Sequence, residues 1–253
     1  MNNDERTSRF PWRVVVTGGA TGIGWAISEH FARTGCAVTV VDLSGGEISA
    51  RQAEGAPESI EWVADDIARS GVADEVLDDL KNRLGGIDVL VNNAAVSRYQ
   101  HVLDISPESW RRTIEVNLGA AFFWSQSAAR LMRAAGIGRI INMGSVNSFA
   151  AEPDAAPYVA AKAGLLGLTR AFAVDLAGTG VTINAVCPGP IGTARNTAMF
   201  ADEPLRTQLA RVPVGRLGKP DEVVSAISWL ASTGASFVNG QAIVVDGGLL
   251  ARI

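Results

Sequence analysis

The chain has 253 residues, 47% hydrophobic and 19% charged, with a net charge of −4 and no basic tract. That length suits one large α/β domain or two small ones, with apolar material enough for a full core. The charge argues against nucleic acid or an anionic membrane as a partner, and no apolar run approaches the roughly 20 residues of a membrane helix. Residues 1–11 are polar, lack an apolar signal core and read as a short disordered tail. Cys36 and Cys187 form no motif, and His30 and His101 are not spaced with them as ligands, so the expectation is a reduced, cytoplasmic, metal-free protein.

Short β-branched runs alternate with helical patterns along the whole chain. The pattern predicts strands over 13–17, 37–41, 60–64, 87–91, 139–143, 181–186 and 242–245. Helices are expected over 22–34, near 46–54, over 71–84, 155–177 and 220–231, with a helix-rich insertion over 194–210. Ser106-Pro107, a serine N-cap with proline at the first position, opens a long helix running to about Ala135. Strands without polar alternation are buried on both faces, and strands separated by helices pair in parallel through right-handed crossovers. The expected product is an α/β, single-domain, Rossmann-type doubly wound parallel sheet of about seven strands over 12–253, with the ligand crevice beyond the strand C-termini.

The first strand ends in Gly18-Gly19-Ala20-Thr21-Gly22-Ile23-Gly24, and a helix follows. This geometry offers backbone N–H groups and a helix N-terminus to a phosphate. Gly18 permits the tight turn, Gly22 lets the backbone approach a pyrophosphate, and Gly24 lets the helix pack on the strand. Asp42 ends the second strand, where a carboxylate accepts both hydroxyls of an adenosine ribose and repels a 2′-phosphate. Neither the glycine turn nor Leu43 and Ser44 supplies a cation, so NAD is expected over NADP. Tyr158 and Lys162 are four apart and share a helix face, and Ser145 stands just beyond the fifth strand. Asn117 falls in the middle of the long helix, where a surface or local hydrogen bond is its ordinary role.

These residues give the chain a clear resemblance to the classical short-chain dehydrogenase/reductase family. The matches are Thr17-Gly18-x-x-x-Gly22-Ile23-Gly24, Asn92-Asn93-Ala94, Asn117, Ser145, Tyr158-x-x-x-Lys162, Asn184-x-x-x-Pro188-Gly189, Gly240-Gln241 and Asp246-Gly247-Gly248. Ala95 departs from the family, which usually has glycine there. The resemblance implies Tyr158 as general acid/base, Ser145 holding the substrate oxygen, Lys162 on the nicotinamide ribose and favouring the tyrosinate, and Asn117 supporting a water behind Lys162. Bringing a phenol from about 10 to near neutrality takes about 4 kcal/mol, and a unit charge roughly 5 Å away supplies about 3 kcal/mol. It further implies cofactor contacts from Thr21 and Ile23 at the turn, Asp66 and Ile67 near the adenine, and Asn93 and Ala94 along the ribose. Pro188 and Gly189 would shape a turn beneath the carboxamide, with Ile191 and Thr193 holding it. Asp65 competes with Asp66 for the adenine.

The substrate side is less legible. A lid is expected near 194–214, where Met199, Phe200, Leu205 and Leu209 form an apolar wall or pack the lid itself. Val96, Asn147, Pro153 and Asp154 are candidate pocket residues. Arg98, His101 and Arg195 meet an anionic substrate or are solvated surface charges. The expected reaction interconverts a secondary alcohol and a ketone. The alternatives are an NADPH-linked 3-oxoacyl-carrier-protein reductase of the same fold and a non-catalytic dinucleotide-binding protein. Relatives of this kind are usually tetramers, to which Phe122, Phe123, Trp124 and Phe172 lend apolar contacts unless they are core.

Overall fold

A computed structural model describes residues 12–43, 49–52, 54–193 and 210–252. The expected tail over 1–11, residues 46–48 and 53 of the helix expected near 46–54, and nearly all of the insertion, with Arg195, Met199, Phe200, Leu205 and Leu209, lie outside the described residues.

Seven strands form one parallel sheet: β1 (Arg13–Thr17), β2 (Ala37–Asp42), β3 (Ile60–Ala64), β4 (Val89–Asn92), β5 (Gly138–Met143), β6 (Val181–Pro188) and β7 (Ala242–Val245). Their order across the sheet is β3-β2-β1-β4-β5-β6-β7. Every pairing is parallel. The helices are α1 (Gly22–Arg33), α2 (Val72–Leu84), α3 (Pro107–Ile114), α4 (Ala120–Ala135), α5 (Ala156–Asp175) and α6 (Pro220–Ala231).

Alternate residues of a strand face opposite sides, and here both sides are covered. Val14 and Val16 pack with Ile27, Phe31, Ile227 and Leu230 from α1 and α6. Val15, between them, packs on the other side with Leu77, Leu80, Trp124 and Met132 from α2 and α4. This two-sided cover buries β1, β4, β5 and β6 along almost their whole length, while the edge strands β3 and β7 are only partly covered. Trp124 is fully buried, with its indole N–H donating to the Ile67 carbonyl at 3.1 Å. It is therefore core, whereas Phe123 is 60% exposed and stacks edge-on with Phe122.

The long helix expected from Pro107 to Ala135 is present, and its winding changes partway along. A π-helical segment, Glu115–Gly119, separates α3 from α4. The cause lies across the chain: Asn117, 2% exposed, accepts from the Val96 N–H at 2.8 Å and donates to the Val96 carbonyl at 2.7 Å. This paired contact with the loop after β4 coincides with the extra residue in the helical turn, a feature common at functional sites.

The chain winds outward from β1 to β3 and crosses back to β4, so the strand order reverses between the neighbours β1 and β4, whose ends are tied together. Thr17 Oγ1 accepts from the backbone N–H groups of Asn93 and Ala94 at 3.1 and 3.2 Å. Asn93 Nδ2 returns bonds to the Thr17 and Gly18 carbonyls at 3.1 and 2.7 Å. The crevice of a doubly wound sheet opens at this switch point.

Candidate active site

A cavity of about 610 Å³ lies beyond the C-terminal ends of the strands. Its walls include every cofactor and catalytic residue singled out from the sequence except Asn117, whose place is behind Val96. At one end the glycine turn is fixed by contacts too close for any side chain. Gly18 has φ +63°, and a Cβ there would stand 2.6 Å from the Ala94 Cα; a Cβ on Gly24 would stand 2.0 Å from the Gly18 carbonyl oxygen. Thr21 caps α1 without a side-chain hydrogen bond, and no acidic residue occupies the first turn. The first N–H groups of that helix are thus left for an anion, which the helix dipole also favours.

Asp42 lines the same end and accepts from the Ala20 N–H at 3.0 Å through Oδ2. The sequence places no cation by this turn, but the fold brings one near. Arg51 donates to the Ala20 carbonyl at 3.2 Å, lies 5.0 Å over the Trp25 ring and pairs with Glu54 at 2.7 Å. Of the two adjacent carboxylates, Asp66 lines the cavity and Asp65 turns away to Arg69 at 2.7 Å. Asp66 is itself paired with Arg112 of α3 at 2.8 Å, and that guanidinium holds its carboxyl below the usual range against the opposing effect of burial.

Across the cavity stand Ser145, Tyr158 and Lys162. Ser145 follows β5, and its Oγ accepts from the Asn147 N–H at 3.1 Å, which leaves the hydroxyl proton free to donate elsewhere. Tyr158 occupies the first turn of α5 and Lys162 the next, with Nζ 5.6 Å from the phenol ring centre. Lys162 is 2% exposed and donates to the Met143 carbonyl at 2.6 Å. Burial pushes its ammonium down to about 8. Cys187 lies beneath the site, and burial pushes its thiol up to about 11.

On the substrate side the expectations meet corrections. Val96 and Asn147 line the cavity, but Pro153 and Asp154 do not. Asp154 instead uses its carbonyl to accept from Gln100 N–H at 2.7 Å, in a backbone conformation of φ 60°. Arg98 and His101 are also outside the walls, and His101 caps a short turn near Asp104. Residues the sequence reading missed include Tyr99, Glu152, Arg112, Arg211, Leu249 and Leu250. A signal for some was present: segments that follow parallel strands border the crevice, including those after β5 and β7.

A doubly wound sheet whose switch-point cavity joins a glycine turn, a carboxylate at the end of the second strand and a serine–tyrosine–lysine set defines a dinucleotide-dependent oxidoreductase. A family model described as "Enoyl-(Acyl carrier protein) reductase" matches residues 18–250. The chain is 39% identical over 241 residues to cis-4-hydroxycyclohexanecarboxylate dehydrogenase of Sinomonas cyclohexanicum, covering 94% of this chain and 96% of the relative. It is 37% identical over 238 residues to a 3-oxoacyl-[acyl-carrier-protein] reductase of Thermotoga maritima, covering 93% and 96%. A solved gluconate 5-dehydrogenase from Burkholderia cenocepacia J2315, in complex with NADP and tartrate, superposes with a TM-score of 0.89 at 34% identity over 98% of both chains. The chain belongs to the short-chain dehydrogenase/reductase family and is an oxidoreductase that interconverts a secondary alcohol and a ketone.

Proposed function

We propose that the chain is an NAD(H)-dependent dehydrogenase in which Tyr158 is the general acid/base. The observation that carries this reading is one cavity lined at once by Asp42, the glycine turn, Ser145, Tyr158 and Lys162. The dinucleotide, when bound, takes up or supplies the hydride. Backbone N–H groups of the α1 N-terminus, with Gly22 and Ile23, receive its pyrophosphate, and Asp42 receives the adenosine ribose. Asp66, Ile67, Asn93, Ala94, Pro188, Gly189, Ile191 and Thr193 complete its bed. Ser145 donates its hydroxyl proton to the substrate oxygen. Tyr158 exchanges a proton with that same oxygen as it changes between alcohol and carbonyl. The Lys162 charge favours the phenolate, worth about 3 kcal/mol at a separation of this order, and Asn117 anchors the loop behind it through Val96.

Asp42 supports NAD over NADP because its carboxylate opposes a 2′-phosphate, and Arg51 is already engaged by Glu54 and Ala20. The relatives do not decide this point, since the Burkholderia enzyme holds NADP. The second reading, an NADPH-linked 3-oxoacyl-carrier-protein reductase, is favoured by the Thermotoga relative and opposed by Asp42. We further propose a cytoplasmic homotetramer, supported by the free Cys36 and Cys187 and by exposed Trp110, Phe123 and Val174 on α3, α4 and α5. Among the described residues no helix is long and apolar enough to cross a membrane. Absorbance of reduced nicotinamide, followed with both cofactors against a panel of secondary alcohols and ketones, tests the reading. Higher kcat/KM with NAD is expected, and a clear NADP preference would overturn the cofactor assignment. Light scattering on an eluting column tests the tetramer.

A further inference from the structure

The end of the cavity away from the glycine turn holds a polar bracket that the roles above do not use. Glu152, half-buried in the loop after β5, accepts through Oε2 from the Tyr99 hydroxyl at 3.1 Å and from the Asn147 side-chain amide at 3.2 Å. The same Asn147 gives its backbone N–H to Ser145 Oγ at 3.1 Å. The bracket is therefore joined directly to the serine of the reacting centre, and all five residues, Tyr158 included, line one cavity. A carboxylate has about four acceptor positions. Both protein donors meet Oε2, so Oε1 keeps its lone pairs for a ligand. A hydrocarbon or acyl chain seated there would strip water from the carboxylate and return nothing. A hydroxyl would donate to it.

We propose that Glu152, bracketed by Tyr99 and Asn147, is a specificity-determining residue that selects substrates carrying a further hydroxyl close to the reacting carbinol: vicinal diols and polyols. This deepens the dehydrogenase reading and rests on it. Glu152 is acceptor-only, so it recognises the neighbouring hydroxyl as a donor while Ser145 and Tyr158 handle the carbinol oxygen.

The test is the ratio of kcat/KM for vicinal diols to that for the matched secondary mono-ols, measured with NAD on wild type, Glu152→Gln and Tyr99→Phe. Wild type is expected to favour the diol by about tenfold or more, and Glu152→Gln to lower that ratio by about tenfold to a hundredfold, as for loss of a hydrogen bond to a charged acceptor. Tyr99→Phe is expected to lower it less. NADH titration by tryptophan fluorescence verifies that each variant keeps a folded cofactor site. A ratio unchanged in Glu152→Gln, or a wild-type preference for amino alcohols or mono-ols, would overturn the role of Glu152 and leave the dehydrogenase standing. No turnover of any panel member by NADH-binding wild type would overturn both.

Discussion

The two ends of the cavity are made of different material. At the glycine turn the wall is backbone: Gly18 against Ala94, Gly24 against the Gly18 carbonyl, and Asn93 bonded to main-chain oxygens. At the opposite end it is side chain: Tyr99, Asn147 and Glu152 meet from two loops, with Leu249 and Leu250 arriving from beyond β7. A wall of backbone has little freedom to vary, because each close approach excludes a Cβ. A wall of side chains on loops can change its chemistry while the sheet beneath stays as it is. One fold can therefore keep one kind of cofactor bed and accept many substrates.

Four variants probe that contrast. The largest effect belongs to the centre where the two ends meet. Tyr158→Phe is expected to reduce kcat by about 10²–10⁴-fold, the range for loss of a general acid/base, while fluorescence titration still detects NADH binding. Turnover near wild type would remove the phenol from the mechanism.

Lys162 links activity to pH and stability. Its ordinary value of 10.5 is pushed down to about 8 by burial. Below about 8 both folded and unfolded chains carry the proton, and the folded state bears the cost of a buried charge. Between about 8 and 10.5 the unfolded chain binds more protons, so stability of the unliganded protein rises with pH. Lys162→Met removes that buried charge but leaves the Met143 carbonyl without its donor, so the variant should lose the rise in stability above about pH 8, and turnover with it. Urea melts of both proteins at pH 7 and at higher pH measure this. Cys187, ordinarily 9.0 and pushed up to about 11, works in the opposite sense above about pH 9, so the melts are compared between pH 7 and 9. The same rise in stability above about pH 8 in the Lys162→Met protein would contradict the argument.

Gly24→Ala tests the backbone wall itself. The added methyl meets the Gly18 carbonyl and the Asn93 amide, and overpacking of this kind costs about 1–3 kcal/mol. A lowered thermal midpoint with weakened NADH binding is expected, and an unchanged midpoint would mean that the turn yields more easily than its contacts imply. The smallest effect is expected from Asp42→Ala. It removes a carboxylate that receives the Ala20 N–H, and the NAD-to-NADP ratio of kcat/KM should fall by about tenfold or more. An unaltered ratio would move cofactor selection elsewhere, with Arg51 the next residue to examine.

Sequence periodicity and local sterics determined the frame. The runs at 14–16 and 89–91 are apolar on both faces, and 38–41 and 140–143 are broken only by Thr39 and Asn142, a pattern that implies a covered parallel sheet. The glycines after β1 announce the turn, and the spacing of Tyr158 and Lys162 announces a shared helix face. All these signals lie within a few residues, where φ/ψ limits and helix pitch act directly. The tertiary structure decided what depends on meetings between distant segments. The π segment around Asn117 accompanies its contact with Val96, the choice of Asp66 over Asp65 accompanies Arg112 and Arg69, and the Glu152 bracket needs Tyr99 from a loop 53 residues away. A hydrogen-bond partner across such a separation leaves no periodic trace in the chain, because it becomes a neighbour only once the sheet has closed the loops between.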